Sequence, residues 1–140
     1  MTTTAPEMQA FILTKSKYLL DISALIAAIW TDHEGHGITE RWLKGKDLAT
    51  CPLTELGFLR ISTNPKAMGA TMPDARKLLG DFLSSHDVQF VPADLPALKS
   101  SAQKSDGVTD GYLAGLAASK AMKLATLDKG IVHVAVELIK

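Results

Sequence analysis

Short apolar runs that stop at an acid, each followed by a stretch of helical spacing, set the rhythm of this chain. Tyr18-Leu19-Leu20-Asp21-Ile22 predicts a strand with Asp21 at its carboxyl end, and Ser23 to about Trp30 predicts a helix directly after it. Asp32 to Gly37 is polar and carries two glycines, so it reads as a loop; a short helix follows from Ile38 to Lys44. Leu48-Ala49-Thr50-Cys51 is a second buried strand. Pro52 suits the first turn of a helix through Leu53, Leu56, Phe58, Leu59 and Ile61, with Glu55 about one turn in. Asn64 to Thr71 is loop, and Pro73 opens a helix with Leu78, Leu79, Phe82 and Leu83 on one face. Val88 to Val91 is a third strand, and a short helix is expected near Leu95 to Gln103. Thr109 is placed to cap a helix from Asp110 to about Ala121. Leu124-Ala125-Thr126-Leu127, ended by Asp128, is a fourth strand, and Val132 to Leu138 a fifth. Strands alternating with helices imply an α/β fold, with a mostly parallel sheet of about five strands covered by helices on both faces.

With 140 residues the chain has room for one core and one domain, expected over residues 18–140 behind an N-terminal extension of residues 1–17. A hydrophobic fraction of 46% with 21% charged residues excludes wholesale disorder and fibrous repeats. The longest apolar run, Ala24 to Trp30, is far short of the roughly 20 residues that span a membrane, and Met1 to Ala10 lacks the basic and apolar regions of a secretory leader. A cytoplasmic location is the expectation. The single cysteine, Cys51, lies in an apolar run and is expected to be a buried thiol. Fifteen basic and fifteen acidic residues cancel, so no global positive field draws in nucleic acid, and any such partner must be met by a local cleft.

The acids sharpen the picture. Ligands of open α/β sheets bind beyond the carboxyl ends of the strands. Asp21 and Asp128 each terminate an apolar strand, Glu55 follows another by about a turn, and Asp110 opens the helix that leads towards the strand ended by Asp128. Clustered carboxylates repel, by about 4 kcal/mol per pair at 4 Å and surface-like dielectric, and so call for a cation. Hard oxygen ligands favour Mg²⁺ or Mn²⁺ over zinc, and that combination serves phosphodiester hydrolysis by metal-activated water.

At these residues the chain resembles the PIN-domain family, in particular VapC-type toxins, from Tyr18 to Glu137. Leu19-Leu20-Asp21-Ile22-Ser23-Ala24-Leu25 is similar to that family's opening strand, and Thr54-Glu55-Leu56-Gly57-Phe58-Leu59-Arg60 to its second motif. Val108-Thr109-Asp110-Gly111-Tyr112-Leu113-Ala114-Gly115-Leu116-Ala117 resembles the third, and Leu124-Ala125-Thr126-Leu127-Asp128-Lys129-Gly130 the last. The resemblance implies a PIN-like three-layer α/β/α sandwich and a Mg²⁺-dependent endoribonuclease. It also implies an RNA substrate, silencing by a cognate antitoxin protein, a homodimer and no membrane partner. Asp21, Glu55, Asp110 and Asp128 would be the catalytic, metal-holding acids, some through water, with Ser23 and Thr126 supporting them. Two positions depart from the family's habit: Ser23 stands where Asn is frequent, and Gly111 where Ala is frequent, at a cost of about 1 kcal/mol of helix propensity.

Among basic residues near the cleft in sequence, Arg60, Lys129, Lys15 and Lys17, Arg60 is the one chosen as an RNA contact. His33 and His36 have a His-x-x-His spacing but lack the further ligands of a zinc site, so surface or structural roles are expected. The competing readings are a non-catalytic PIN-like module that binds RNA or protein and a Rossmann-like phosphatase using a strand-end Asp as nucleophile. A dinucleotide oxidoreductase is disfavoured, since no Gly-x-Gly-x-x-Gly follows the first strand.

Overall fold

A computed structural model of the chain describes residues 16–100 and 102–140; the expected extension up to residue 15, with Lys15, lies outside the described residues. Five strands, β1 (Lys17–Leu20), β2 (Asp47–Thr50), β3 (Gln89–Phe90), β4 (Met122–Thr126) and β5 (Val136–Leu138), form one sheet in the order β3-β2-β1-β4-β5. Every pairing is parallel, with Leu19 opposite Ala49 on one side of β1 and Leu124 on the other. The chain runs outward from β1 through β2 to β3, then returns to lay β4 against the free side of β1. That reversal creates a crevice at the carboxyl ends of β1 and β4, the place where such sheets bind ligands.

Successive residues of the central strands point to opposite faces, and both faces are covered. Leu20, Leu48 and Ala125 pack beneath α1 (Ile22–Ile29), α2 (His36–Leu43), α3 (Pro52–Thr63) and α4 (Met72–Ser85). Leu19, Ala49 and Leu124 pack against α5 (Val108–Ser119) through Leu113, Leu116 and Ala117. This is the three-layer α/β/α arrangement. It explains why Leu19-Leu20 of β1 and Leu124-Ala125 of β4 are apolar in succession rather than alternating: at these positions neither face meets water.

Local chemistry sets the helix starts. Asp21 is the N-cap of α1, Thr71 caps α4 by accepting from the Asp74 amide at 3.2 Å, and Thr54 Oγ1 accepts from the Cys51 amide at 3.1 Å where Pro52 opens α3. Cys51 is buried, as expected. Several boundaries differ from the sequence pattern. The first strand ends at Leu20, because Asp21 is already capping and Ile22 is helical. Thr109 caps nothing: a 3-10 turn, Ser105–Gly107, runs straight into α5, which starts at Val108 with no side-chain cap. The stretch near Leu95 holds only the single 3-10 turn Ala97–Lys99. The fifth strand is confined to its last residues, since His133 turns the chain by accepting the Ala135 amide on Nδ1 and the Val136 amide on its carbonyl. Val132 and Val134 are left 94% and 97% exposed.

Two glycines mark close approaches. A Cβ on Gly57 of α3 would lie 2.5 Å from Ile22 Cγ1 at the start of α1, so the two helices touch backbone to side chain there. A Cβ on Gly111 would lie 3.0 Å from Ala102 Cβ and 3.1 Å from its backbone nitrogen. The glycine that is unfavourable for helix propensity lets the segment at Ala102 lie flat on α5.

Candidate active site

Asp21 anchors the crevice. Its backbone amide continues the sheet by donating to the Ala125 carbonyl, and its side chain then turns into the first turn of α1. Oδ1 accepts from the Ala24 amide at 2.8 Å and from Ser23 Oγ at 2.7 Å, and the Thr126 hydroxyl bonds the same carboxyl. Asp21 is only 3% exposed. Burial pushes its pKa up; the hydrogen bonds from Thr126, Ala24 and Ser23 pull partly against that, and the charge of Asp110 adds to the rise.

Asp110, in the first turn of α5, is also raised, first by its own burial and then by the charge of Asp128. Asp128 follows β4 in a tight turn: its amide donates to Thr126 Oγ1 at 2.9 Å and its Oδ1 accepts from the Gly130 amide at 2.8 Å. Asp110 and Asp128 line one open cleft of about 540 Å³, with Lys104 and Gly130 beside them. Asp21, Asp110 and Asp128 therefore form an electrostatically linked chain of acids across the carboxyl ends of β1 and β4.

Glu55 stands apart. It lies in the first turn of α3, beyond β2, and its Oε2 accepts from Thr50 Oγ1 at 2.6 Å. Thr50 was not singled out from sequence. The signal was present, because β2 and β4 both end in a threonine and both are buried, Thr50 1% and Thr126 0% exposed. Each hydroxyl steadies a group near an acid. Ser23 joins the two sides: it accepts from the Leu127 amide at 3.2 Å while donating to Asp21, and Thr126 Oγ1 lies 3.4 Å away.

The basic residues are less concentrated. Arg60 is exposed in the last turn of α3, five residues and so about 140° around the helix from Glu55. Lys129 is exposed beside Asp128, whereas Lys17 starts β1 and donates to Gln89 Oε1 at the opposite edge of the sheet, away from the acids. His36 is structural: its Nδ1 donates to the Ala27 carbonyl at 2.8 Å and ties α2 to α1.

Among the described residues no Lys, Arg or His pairs with Asp21, Glu55, Asp110 or Asp128 within 4.0 Å. No three His, Cys, Asp or Glu groups among them stand close enough to close directly on one metal ion. Hard oxygen donors without a cationic partner have the chemistry of ligands for a small divalent cation that keeps part of its water shell.

The raised carboxyls carry a pH signature. A folded-state pKa above the unfolded value means the folded protein binds more protons in the interval between them, so stability falls as pH rises through it. Urea midpoints of the metal-free protein should drop as pH climbs from the ordinary carboxylate range towards neutrality, and Asp21→Asn should flatten that slope. An equally steep slope in the variant would show that Asp21 is not its source.

Comparison with known proteins agrees with the fold. The model of the PIN domain matches residues 18–137. Ribonuclease VapC38 of Mycobacterium tuberculosis is 37% identical over 125 residues, covering 81% of this chain and 86% of the relative. Ribonuclease VapC39 of the same organism is 34% identical over 124 residues, covering 81% and 89%. Among solved structures, VapBC2 from Rickettsia felis, bound to a DNA fragment from its promoter, matches with a TM-score of 0.60 over 89% of this chain and 99% of that one, at 15% identity, a likeness of fold. With a family match along nearly the whole described chain and the acids gathered at the switch point of the sheet, the chain belongs to the PIN-domain family, on its VapC branch.

Proposed function

We propose that this protein is a divalent-metal-dependent endoribonuclease, the toxin of a VapBC-type toxin-antitoxin pair, with Mg²⁺ as the working ion and Mn²⁺ able to replace it. The observation that carries the reading is the linked set Asp21, Asp110 and Asp128 at the crevice between β1 and β4: burial and the charge of Asp110 raise Asp21, burial and the charge of Asp128 raise Asp110, and none of the three has a basic partner among the described residues. These acids would hold the ion, directly or through its retained water, with Glu55 reaching it through water from its Thr50 anchor. Once bound, the ion supplies Lewis-acid stabilisation of charge at phosphorus and an activated water. The chain's own part is orientation. Ser23 and Thr126 fix Asp21 against β4, the Gly130 amide fixes Asp128, and the apolar sheet beneath keeps bulk water from one side. Arg60 is assigned as an outlying phosphate contact.

The relatives named as ribonucleases support RNA as substrate, and the name of the Rickettsia felis complex supports a cognate antitoxin as partner. A homodimer and a cytoplasmic location belong to the same reading. Among the described residues no helix is long and apolar enough to cross a membrane.

The test is a panel of single-stranded and structured RNAs incubated with the purified chain, freed of any partner, in Mg²⁺ or in EDTA. Metal-dependent cutting is the expected result, and Mg²⁺ at 100 times its Kd should also stabilise the fold by about 3 kcal/mol, read as a higher melting temperature. Intact RNA throughout, with no Mg²⁺ binding by calorimetry, would leave a non-catalytic RNA- or protein-binding module, whereas a trapped aspartyl-phosphate would point to a phosphatase.

A further inference from the structure

Next to the acids opens a second concavity of about 700 Å³, with apolar walls from Ile26, Trp30 and Met68 and a polar edge from Ser23, Asp32 and His33. Its size falls within the range of small-ligand sites, roughly 300–1,000 Å³. The same Ser23 donates to Asp21 at 2.7 Å, so the groove begins one residue from the catalytic acids. His33 is held on that rim as well. A Cβ on Gly35 would lie 3.2 Å from His33 Nδ1 and 3.1 Å from Leu127 Cδ1, so the imidazole and the residue preceding Asp128 flank one glycine.

The ring's chemistry is fixed by the turn it sits in. His33 Nδ1 accepts from the Gly35 amide at 2.9 Å, so in either protonation state Nε2 carries a hydrogen. The groove thus offers a fixed N–H donor beside a carboxylate acceptor, Asp32, above apolar walls. A negative carboxylate repels a phosphate, whereas apolar faces with a donor and an acceptor at the edge suit a splayed-out nucleobase. Guanine alone among the RNA bases sets two N–H donors on adjacent ring positions, for both oxygens of a carboxylate, alongside an acceptor oxygen for an N–H.

Building on the nuclease reading above, we propose that this groove holds an unpaired guanine adjacent to the scissile phosphate, and that Asp32 and His33 are its specificity-determining residues. The His-x-x-His spacing then divides into two roles, with His36 holding α2 and His33 reading substrate.

The test uses the full chain, freed of any partner, with a single-stranded RNA carrying a randomised stretch in Mg²⁺, and sequences the cut ends. Wild type, His33→Asn and Asp32→Asn are compared. Asn at position 33 retains an acceptor for the Gly35 amide, as in an Asx turn, and loses the distal donor. In the wild type, guanine should exceed adenine roughly 10-fold or more at one fixed position relative to the cut, dropping to about 2-fold in each variant, with slower cutting. Melting curves by circular dichroism should match. Guanine preference that persists in both variants, a different preferred base, or no preference overturns the proposal, and a groove that seats a protein segment would give that pattern. If His33→Asn melts early, the exposed Asp32→Asn decides alone. Absence of any cutting by the wild type would instead overturn the nuclease reading, and this inference with it.

Discussion

Asp21→Asn should abolish RNA cleavage, lowering the rate roughly 10³-fold or more, while making the metal-free protein more stable. The two effects have opposite signs because the residue holds two jobs. As N-cap of α1 it needs only an oxygen that accepts from the Ala24 amide and Ser23 Oγ, and asparagine provides one equally well. In its proposed role as a metal ligand it needs a full negative charge, which burial and Asp110 oppose in the absence of a cation. Removing that charge should raise stability in EDTA by about 1 kcal/mol, on the order of 4 °C in a domain of this size, as read by calorimetry. It should also remove most of the stabilisation by Mg²⁺. A variant that loses both activity and stability would show that the carboxylate is required for the fold itself, and a variant that still cuts would remove Asp21 from the site.

Gly57→Ala should lower stability by about 2 kcal/mol net, or on the order of 8 °C, since no other glycine of the chain has a neighbour as close to an added Cβ. In an exposed helix the change would be favourable by about 1 kcal/mol. Here the new methyl would meet Ile22 at 2.5 Å from Cγ1 and 3.3 Å from Cγ2, so α3 has to withdraw from α1. Ile22 follows Asp21, and Glu55 precedes Gly57 by two residues on α3, so the withdrawal also alters the placement of two acids. Activity should fall about 10-fold even where the protein remains folded, since small misplacements of reacting groups are costly. Shortening the neighbour in the double variant Ile22→Ala, Gly57→Ala should recover part of the stability, giving a coupling energy of about 1 kcal/mol. A Gly57→Ala single variant as stable as the wild type would refute the close approach.

What was legible in the sequence and what was not divides along physical lines. Asp21 and Asp128 were visible because an acid at the end of a doubly buried strand breaks an otherwise apolar run, and Asp110 because it opens a helix. The parallel sheet followed from alternating elements. Thr50 was hidden because its importance lies in a hydrogen bond to Glu55 formed only when β2 and α3 take up their relative positions. Gly57 was equally silent, since nothing local distinguishes it from a weak helix former; the cause is the opposing Ile22. The pattern Val132, Val134, Val136 alternates as a strand should, yet the turn at His133 diverts its first half to solvent. Arg60 looked near the cleft because it shares a motif with Glu55, and the helix rotation carries it to another side.

The central position of β1 has a kinetic consequence. Its partner on one flank, β4, is a hundred residues downstream, and the Ser23 hydroxyl that orients Asp21 meets an amide 104 positions along the chain, at Leu127. Closing so long a loop is slow compared with forming helices, because its entropy is lost before the new contacts form. Asp21 can cap α1 early, but Asp110 and Asp128 join it only when β4 docks. During synthesis the growing chain can therefore hold a formed helix pair and yet no assembled set of acids, so any activity that rests on the proposed site arrives as a late event of folding rather than accumulating with chain length.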